Sequence, residues 1–355
     1  MEITNIKMEP CILKKDDPTW RFALGASPVS EGLIVSIETD NNLTGFGYAS
    51  ATAHMGASLE GLTGTLEKLV PHINKHDPLS MTAIRRDMDR ALLGNNQAKA
   101  AIDCALFDLA AKFMKVPLNC LFGGAVRTQF PVLRILAIKT PPEMAAQAQI
   151  LFDQGYRYFK IKVHGEINED IACVRAIRRQ LGDEANLTID ANQSYSPKDA
   201  IAALNGMADY RIDLVEQPVA IDDLKGLKLV TNSIPVIVEA DESAGSVKEV
   251  ANLVENRIVD AISLKISKLG GLWNTMIAAQ ICATGNVRYR FGAHVGSRLL
   301  NAHAMHLAAS LPESWYASEF GEFSRLLDDP FEGIEVENGI IHLPSGPGSG
   351  VKPRS

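Results

Sequence analysis

The sequence predicts an α/β protein: a barrel of alternating strands and helices carried behind a smaller α+β domain. Three observations carry that prediction. Lys162, Asp190, Glu216, Asp241 and Lys265 each follow or end a short apolar run, at intervals of 28, 26, 25 and 24 residues. One strand, one helix and two loops take about 30 residues, so each interval is one βα unit, and equivalent positions in successive units of a closed barrel share its C-terminal rim. Ahead of these units lies a block of strands followed by helices, a pattern that marks a separate α+β unit. Finally, 355 residues exceed the ~250 of a typical barrel and leave room for that unit.

Composition narrows the function. The chain is 46% hydrophobic and 22% charged with a net charge of −7, enough for a large core and too acidic for a nucleic-acid surface. Met1-Glu2-Ile3-Thr4-Asn5 shows no basic region leading into an apolar run, as a secretory signal would. No apolar stretch approaches the ~20 residues that cross a bilayer. Cys11, Cys104, Cys120, Cys173 and Cys282 are scattered, odd in number and form no CxxC, which fits reduced thiols. The expectation is a cytoplasmic protein with neither membrane nor nucleic acid as partner.

Taken in order, Ile3 to Leu13 alternates loosely, as a strand does. Gly32 to Thr39 and Leu43 to Tyr48 are two further strand-like runs joined by Asp40-Asn41-Asn42, a hairpin turn composition. Asp16 to Ser30 between the first two runs is long and aromatic. It reads either as a lid over the barrel mouth, with Trp20 or Phe22 touching substrate, or as a loop packed on its own domain. Leu59, Leu62, Leu66 and Leu69 recur at helix spacing and are expected to stop before Pro71. Ile84 to Leu93 and Ala98 to Phe113 read as two more helices. Barrel strands are expected near Phe130–Ala137, Tyr158–Val163, Leu187–Asp190, Leu214–Glu216, Val236–Asp241, Ile262–Leu264, Tyr289–Gly292 and Trp315–Ser318. His303 and His306, one helical turn apart in an alanine-rich helix, read as helix-surface or packing residues rather than metal ligands.

The charged set has its own logic. Lys160 and Lys162 share one strand face, and two buried ammonium groups side by side are costly unless anions offset them. Asp190, Glu216 and Asp241 supply three hard oxygen donors with no thiolate or imidazole, which suits Mg²⁺, or Mn²⁺ as a substitute. For any one of them the other reading is an ion pair with a lysine. Asn192 lies on the face of Asp190 and is placed beside the ligands with the substrate-binding residues. Glu242, adjacent to Asp241, is expected on the opposite face. Lys162 at the end of the second strand and Lys265 at the end of the sixth stand on opposite sides of an eight-membered ring. Lys268, at an odd offset from Lys265, is expected to face away.

The segment from Ala101 to Lys112, with Leu121-Phe122-Gly123-Gly124, resembles the helix and turn that join capping domain to barrel in the enolase superfamily. Lys160-Ile161-Lys162, Asp190-Ala191-Asn192, Glu216-Gln217-Pro218, Asp241-Glu242-Ser243 and Lys265-Ile266-Ser267-Lys268-Leu269-Gly270-Gly271 agree with it in order. The pattern is most similar to the muconate cycloisomerase (muconate lactonizing enzyme) subgroup of the mandelate racemase/muconate lactonizing enzyme family, over nearly the whole chain. The resemblance implies a modified TIM barrel, (β/α)7β, with an α+β capping domain. Its domains would be 1–124, a capping domain with lid loops; 125–318, the barrel; and 319–355, a tail returning to the capping domain. It assigns Lys162 and Lys265 as the acid/base pair, Lys160 as the group neutralising the substrate carboxylate, and a Mg²⁺ beside it. It also implies a homo-oligomer.

Other positions follow from the same resemblance. His294 stands where the mandelate racemase subgroup carries a base histidine; with Lys265 already present, it is expected to touch substrate or support the site. The last strand, Trp315 to Glu322, is expected to set specificity. Dipeptide epimerases show Asp-x-Asp there, which this chain lacks; muconate cycloisomerases show Glu-Leu-Phe-Gly, against Glu319-Phe320-Gly321 here. Glu319 or Glu322 would bind a cationic substrate group or be solvated.

The expected function is a Mg²⁺-dependent isomerase that removes the proton α to a carboxylate through an enediolate. It would act as a racemase or epimerase of an amino-acid-derived carboxylate, or as a cycloisomerase of muconate type. One alternative is a lyase of the o-succinylbenzoate synthase or hydroxyproline dehydratase kind. Another is a non-catalytic binding protein on the same fold.

Overall fold

The computed structural model describes residues 1 to 354 other than positions 75, 293, 294 and 313. The first unit is an antiparallel sheet of β1 (Ile3–Lys14), β2 (Val29–Thr39) and β3 (Thr44–Ser50), in that order. Leu33, Val35 and Ile37 alternate along β2 and point into one core with α1 (Leu59–Ile73), α2 (Met81–Ala91) and α3 (Asn96–Met114). The Ser58 hydroxyl caps α1 by accepting the Gly61 N–H at 3.1 Å. The helix does not stop before Pro71, as expected, but continues to Ile73, whose side chain is fully buried. The missing proline N–H removes one bond close to the helix end, and burial of the last turn outweighs it.

Helix α3 is buried all round from Gln97 to Ala111, because it lies between the capping sheet and the barrel. Gly45 and Gly47 let it approach β3. A Cβ on Gly47 would sit 1.9 Å from the Ala101 carbonyl oxygen, and one on Gly45 would sit 2.1 Å from that of Ala105.

The second unit is a curled parallel sheet in sequential order: β4 (Leu133–Leu136), β5 (Tyr158–Lys162), β6 (Asn186–Asp190), β7 (Ile212–Glu216), β8 (Ile237–Ala240), β9 (Ala261–Leu264) and β10 (Arg288–Phe291). Helices α4 (Pro141–Asp153), α5 (Ile167–Leu181), α6 (Pro197–Gly206), α7 (Leu224–Ser233) and α8 (Val247–Glu255) separate the first six strands in turn. The short α9 (Ile266–Leu269) and then α10 (Leu272–Thr284) precede β10, and α11 (Arg298–Ala309) follows it.

Two expected strands differ. The first is split: Gln129–Pro131 pairs with Ile340–His342 in a separate small sheet, and only Leu133–Leu136 joins the barrel. Pro131 has no N–H to continue a ladder. Trp315–Ser318, expected as the eighth strand, is reduced to a single bridge, Val132 to Ser318. It still closes the ring. Trp315 and Glu319 donate to Tyr289 and Phe291 on one side, at 3.3 and 2.9 Å, and Ser318 accepts from Leu133 on the other at 3.0 Å.

The tail touches both units. Leu327 N–H donates to Lys14 at 2.8 Å, Ser349 N–H to the buried Asp108 of α3 at 2.7 Å, and Phe331 packs edge-on against Phe46. Among the described residues no helix is long and apolar enough to cross a membrane.

Candidate active site

The barrel strands end in charge. Register alignment places Lys162 beside Asp190, Asp190 beside Glu216, and Glu216 beside Glu239 on successive strands. Directly after β6 and β7 the chain turns sharply through Asn192 and Gln217, non-glycine residues at φ +39° and +37°. Such left-handed positions are strained and persist only where surrounding contacts hold them. Here Gln217 is held through its side chain: Oε1 accepts from the N–H groups of Asp241 and Ser243 at 3.0 and 3.1 Å.

Around these ends the structure builds one charge network. Lys160 Nζ lies 2.5 Å from Glu319, 2.6 Å from Glu216 and 3.4 Å from Asp190. Lys162 Nζ donates to Asp190 Oδ2 and to Asn192 Oδ1, both at 2.6 Å. Lys265 Nζ donates to Asp241 Oδ2 at 2.5 Å, and Lys268 Nζ to Asp241 Oδ1 at 2.7 Å. Lys268 therefore does not face away. The strand ends at Leu264, and Lys268 falls one turn after Lys265 in α9, so both meet the same carboxylate. Glu242 is likewise not on the far side: it is buried, and its Oε1 accepts from Asn192 Nδ2 at 3.1 Å.

Sequence reasoning passed over Arg290 and Glu239. Arg290, 0% exposed, spans the barrel interior, donating to Glu319 and Glu239 at 2.6 Å each and to Glu216. The signals were present: Arg290 is a charge inside an apolar strand, and Glu239 shares the strand face of Asp241.

Electrostatics follow from these pairings. Burial alone would lower the lysines, but Glu216, Glu319 and Asp190 hold Lys160 well above its ordinary pKa, and Asp241 with Glu216 and Glu319 raises Lys265. Burial would raise Asp241, yet Lys265 and Lys268 hold it well below the usual range. Burial pushes Glu242 up to about 7, assisted by the charges of Asp241 and Asp190. Burial also raises Glu239 to about 8 against the pull of Arg290.

Over the rim lies the segment Asp16–Ser30. Trp20, 5% exposed, packs against Ile135 and Ala137 of the first barrel strand region as well as against Phe22 of its own segment. Lys139 pairs with Asp17 at 2.9 Å, and a two-residue hairpin (Arg21–Phe22 with Gly25–Ala26) hangs over the mouth. Beneath it is a cavity of about 400 Å³ lined by Trp20, Phe22, Lys160, Lys162, Asn192, Lys265 and Glu319 among others. His54 also lines it, and its ring is tilted on Phe22 at 5.2 Å, so the loop after β3 is part of the same roof. His294 lies outside the described residues.

As they stand, no three His, Cys, Asp or Glu side chains among the described residues are gathered to hold a metal ion; ammonium groups occupy the carboxylates instead. The donor set nevertheless fits a hard divalent cation. Asp190, Glu216 and Asp241 sit at three successive strand ends, all oxygen donors, and Glu216 Oε1 is buried without a hydrogen-bond partner.

Comparison with known proteins agrees with the fold. Residues 11–123 match the mandelate racemase / muconate lactonizing enzyme N-terminal domain, and residues 143–355 the enolase C-terminal domain-like family. The chain is 35% identical over 312 residues to a hydrophobic dipeptide epimerase of Enterococcus faecalis, covering 87% of this chain and 88% of that one. It is 32% identical over 286–288 residues to chloromuconate cycloisomerases, among them that of Delftia acidovorans, where the match covers 80% of this chain and 77% of the relative. A crystal structure of dipeptide epimerase from E. faecalis V583, complexed with Mg and the dipeptide L-Leu-L-Tyr, superposes with a TM-score of 0.95 at 32% identity, covering 99% of this chain and 100% of that one. That of N-succinyl Arg/Lys racemase from Bacillus cereus gives 0.96 at 27% identity, covering 100% and 96%. The chain belongs to the mandelate racemase / muconate lactonizing enzyme family of the enolase superfamily. Within it, the chain is an isomerase of the racemase/epimerase or cycloisomerase kind.

Proposed function

We propose that this protein racemises or epimerises an amino-acid-derived carboxylate by two-base proton transfer at the α-carbon, with Lys162 and Lys265 as the bases. The observation that carries it is the placement of these two lysines at the ends of β5 and β9, with β6, β7 and β8 between them, lining one cavity. A carbon held between them presents one face to each amine. The neutral amine of one lysine takes the α-proton and becomes an ammonium; the other, already protonated, returns a proton to the opposite face. In the reverse direction the roles exchange. Asp241 keeps Lys265 protonated in this state, which suits it to begin as the donor. Lys160, held charged by three carboxylates, neutralises the substrate carboxylate as negative charge moves onto it.

Asp190, Glu216 and Asp241 would hold Mg²⁺, or Mn²⁺ as a substitute, and the ion would supply further positive charge beside that carboxylate. A metal and a dipeptide together in the E. faecalis neighbour support this reading. Asn192 orients Lys162 through its 2.6 Å hydrogen bond, and Trp20 and Glu319 border the substrate.

The test is α-proton exchange in D₂O with Mg²⁺, followed by NMR, over N-acylated amino acids and dipeptides. Exchange with inversion is expected, and Lys162→Ala or Lys265→Ala should each lower the rate by about 10²–10⁴-fold. Lactone formation from muconate without exchange would make the enzyme a cycloisomerase. Loss of water or another β-group would make it a lyase.

A further inference from the structure

The cavity holds one more cation, outside the proposed catalytic set. Lys15 follows β1 directly, lines the cavity on its lid side, and is 6% exposed. Every other lysine of the cavity, Lys160, Lys162 and Lys265, is paired to at least one carboxylate. Lys15 is not: among the described residues no carboxylate lies within ion-pair distance of its Nζ. The ammonium donates to Ser27 O at 2.5 Å and Ser27 Oγ at 2.9 Å, and it stands 3.7 Å from the centre of the Trp20 ring. These are neutral partners.

The two acids whose charges act most on it are committed elsewhere. Glu322 is paired with Arg134 at 3.3 Å, and Asp16 with Arg325 at 3.3 Å. Burying an ammonium without an anion is unfavourable, and burial lowers the Lys15 pKa to about 8, with the charges of Arg325 and Lys162 acting the same way against Glu322 and Asp16. The corner between lid and first strand is thus short of one negative charge. It lies on the lid side of a cavity whose floor carries Lys160.

We infer that the substrate carries a second anionic group, a carboxylate on an arm remote from the reacting carbon, and that Lys15 receives it under the lid. This rests on the two-base reading above and adds the substrate class: an N-acyl or peptide-like amino-acid derivative with an acidic end. The Ser27 and Trp20 contacts place the ammonium on the same lid segment that must cover that arm. Arm recognition and lid closure are then one event: the anion supplies the charge that the neutral lid partners leave unmet.

The experiment compares two ligands that cannot react because they lack an α-proton, N-succinyl-α-methylalanine and its neutral analogue N-butyryl-α-methylalanine. Binding to the Mg²⁺-loaded protein is read by calorimetry. The wild type should bind the succinyl compound at least 10-fold more tightly. Lys15→Met should bring the two affinities within about two-fold by weakening the succinyl compound alone, and Lys15→Arg should restore part of the gap. Equal affinity in the wild type, no measurable binding of either, or a gap that survives in Lys15→Met overturns the inference. Equal weakening of both compounds in Lys15→Met also overturns it, since Lys15 would then only latch the lid. D₂O exchange with N-succinylalanine separates the two readings. A binding gap without exchange removes the racemase reading and leaves Lys15 as an anion receptor; exchange without a gap does the reverse.

Discussion

Arg290 is the residue on which the interior of this barrel turns. Its guanidinium meets Glu216, Glu239 and Glu319, all fully or nearly fully buried, and Lys160 meets two of the same three. A guanidinium presents several donors in a rigid fork, which one ammonium could not reproduce. Removing it would strand at least one buried carboxylate. Arg290→Met is therefore expected to cost about 3–5 kcal/mol, seen as a lower urea midpoint. An unchanged midpoint would mean that the carboxylates discharge by protonation, as the raised Glu239 invites. This residue was legible as a charge inside an apolar strand, but its partners were not, because they lie 29 to 74 positions away in the chain. The lysine and carboxylate positions were legible for the opposite reason. Each ends a strand, and a strand end in a parallel barrel has only one rim to join.

At the scale of elements, the short ones were the hardest to foresee. Helix α9 is four residues long and reversed the expected direction of Lys268, since strand alternation gave way to helical spacing within two positions of Leu264. The last barrel position was a strand by composition, yet only one bridge forms, because its backbone bonds are shared out between β10 and Leu133 rather than running as a ladder. Surface and packing were both open to the histidines of α11, and both residues are buried in packing. His303 donates through Nδ1 to Leu299 O at 2.8 Å, and His306 through Nε2 to Ser349 O at 3.1 Å, tying α11 to the tail. Burial lowers His306 to about 4 from 6.5. A histidine depressed in the folded state is protonated first in the unfolded chain. Its contribution is present above about pH 6.5 and is lost as pH falls toward 4, by up to about 3 kcal/mol. Urea melts at pH 7 and pH 5 should show this loss in the wild type and a smaller one in His306→Gln. Equal pH dependence in both would remove His306 as its source.

For the whole molecule, the question is how a separate sheet-and-helix unit keeps its lid over the rim. Asn96, at the start of α3, donates through Nδ2 to Gly245 O at 2.9 Å and Lys268 O at 2.8 Å, so one amide clamps the capping unit to α9 and to the loop before α8, beside the charge network. Asn96→Ala leaves two carbonyls without that partner, and a loss of about 1–3 kcal/mol in urea unfolding is expected. A midpoint equal to wild type would show that solvent replaces the amide at no cost. Asp108 makes a second joint, accepting from Phe46 N–H at 2.9 Å and from Ser349 N–H at 2.7 Å, which brings sheet, helix and tail together.

The sequence by itself determined the succession of βα units, the strand ends that carry Lys160, Lys162, Asp190, Glu216, Asp241 and Lys265, and the chemistry those groups suit. That information is local: apolar periodicity and the side chain that ends each run. Only the tertiary structure decided which charge faces which: Arg290 across the barrel, Glu242 onto Asn192, Trp20 onto the first strand, Lys15 onto Ser27 and Trp20 with no acid among the described residues within ion-pair distance. Ion pairing depends on distance in space and on burial, and neither is encoded in the interval between two residues along the chain.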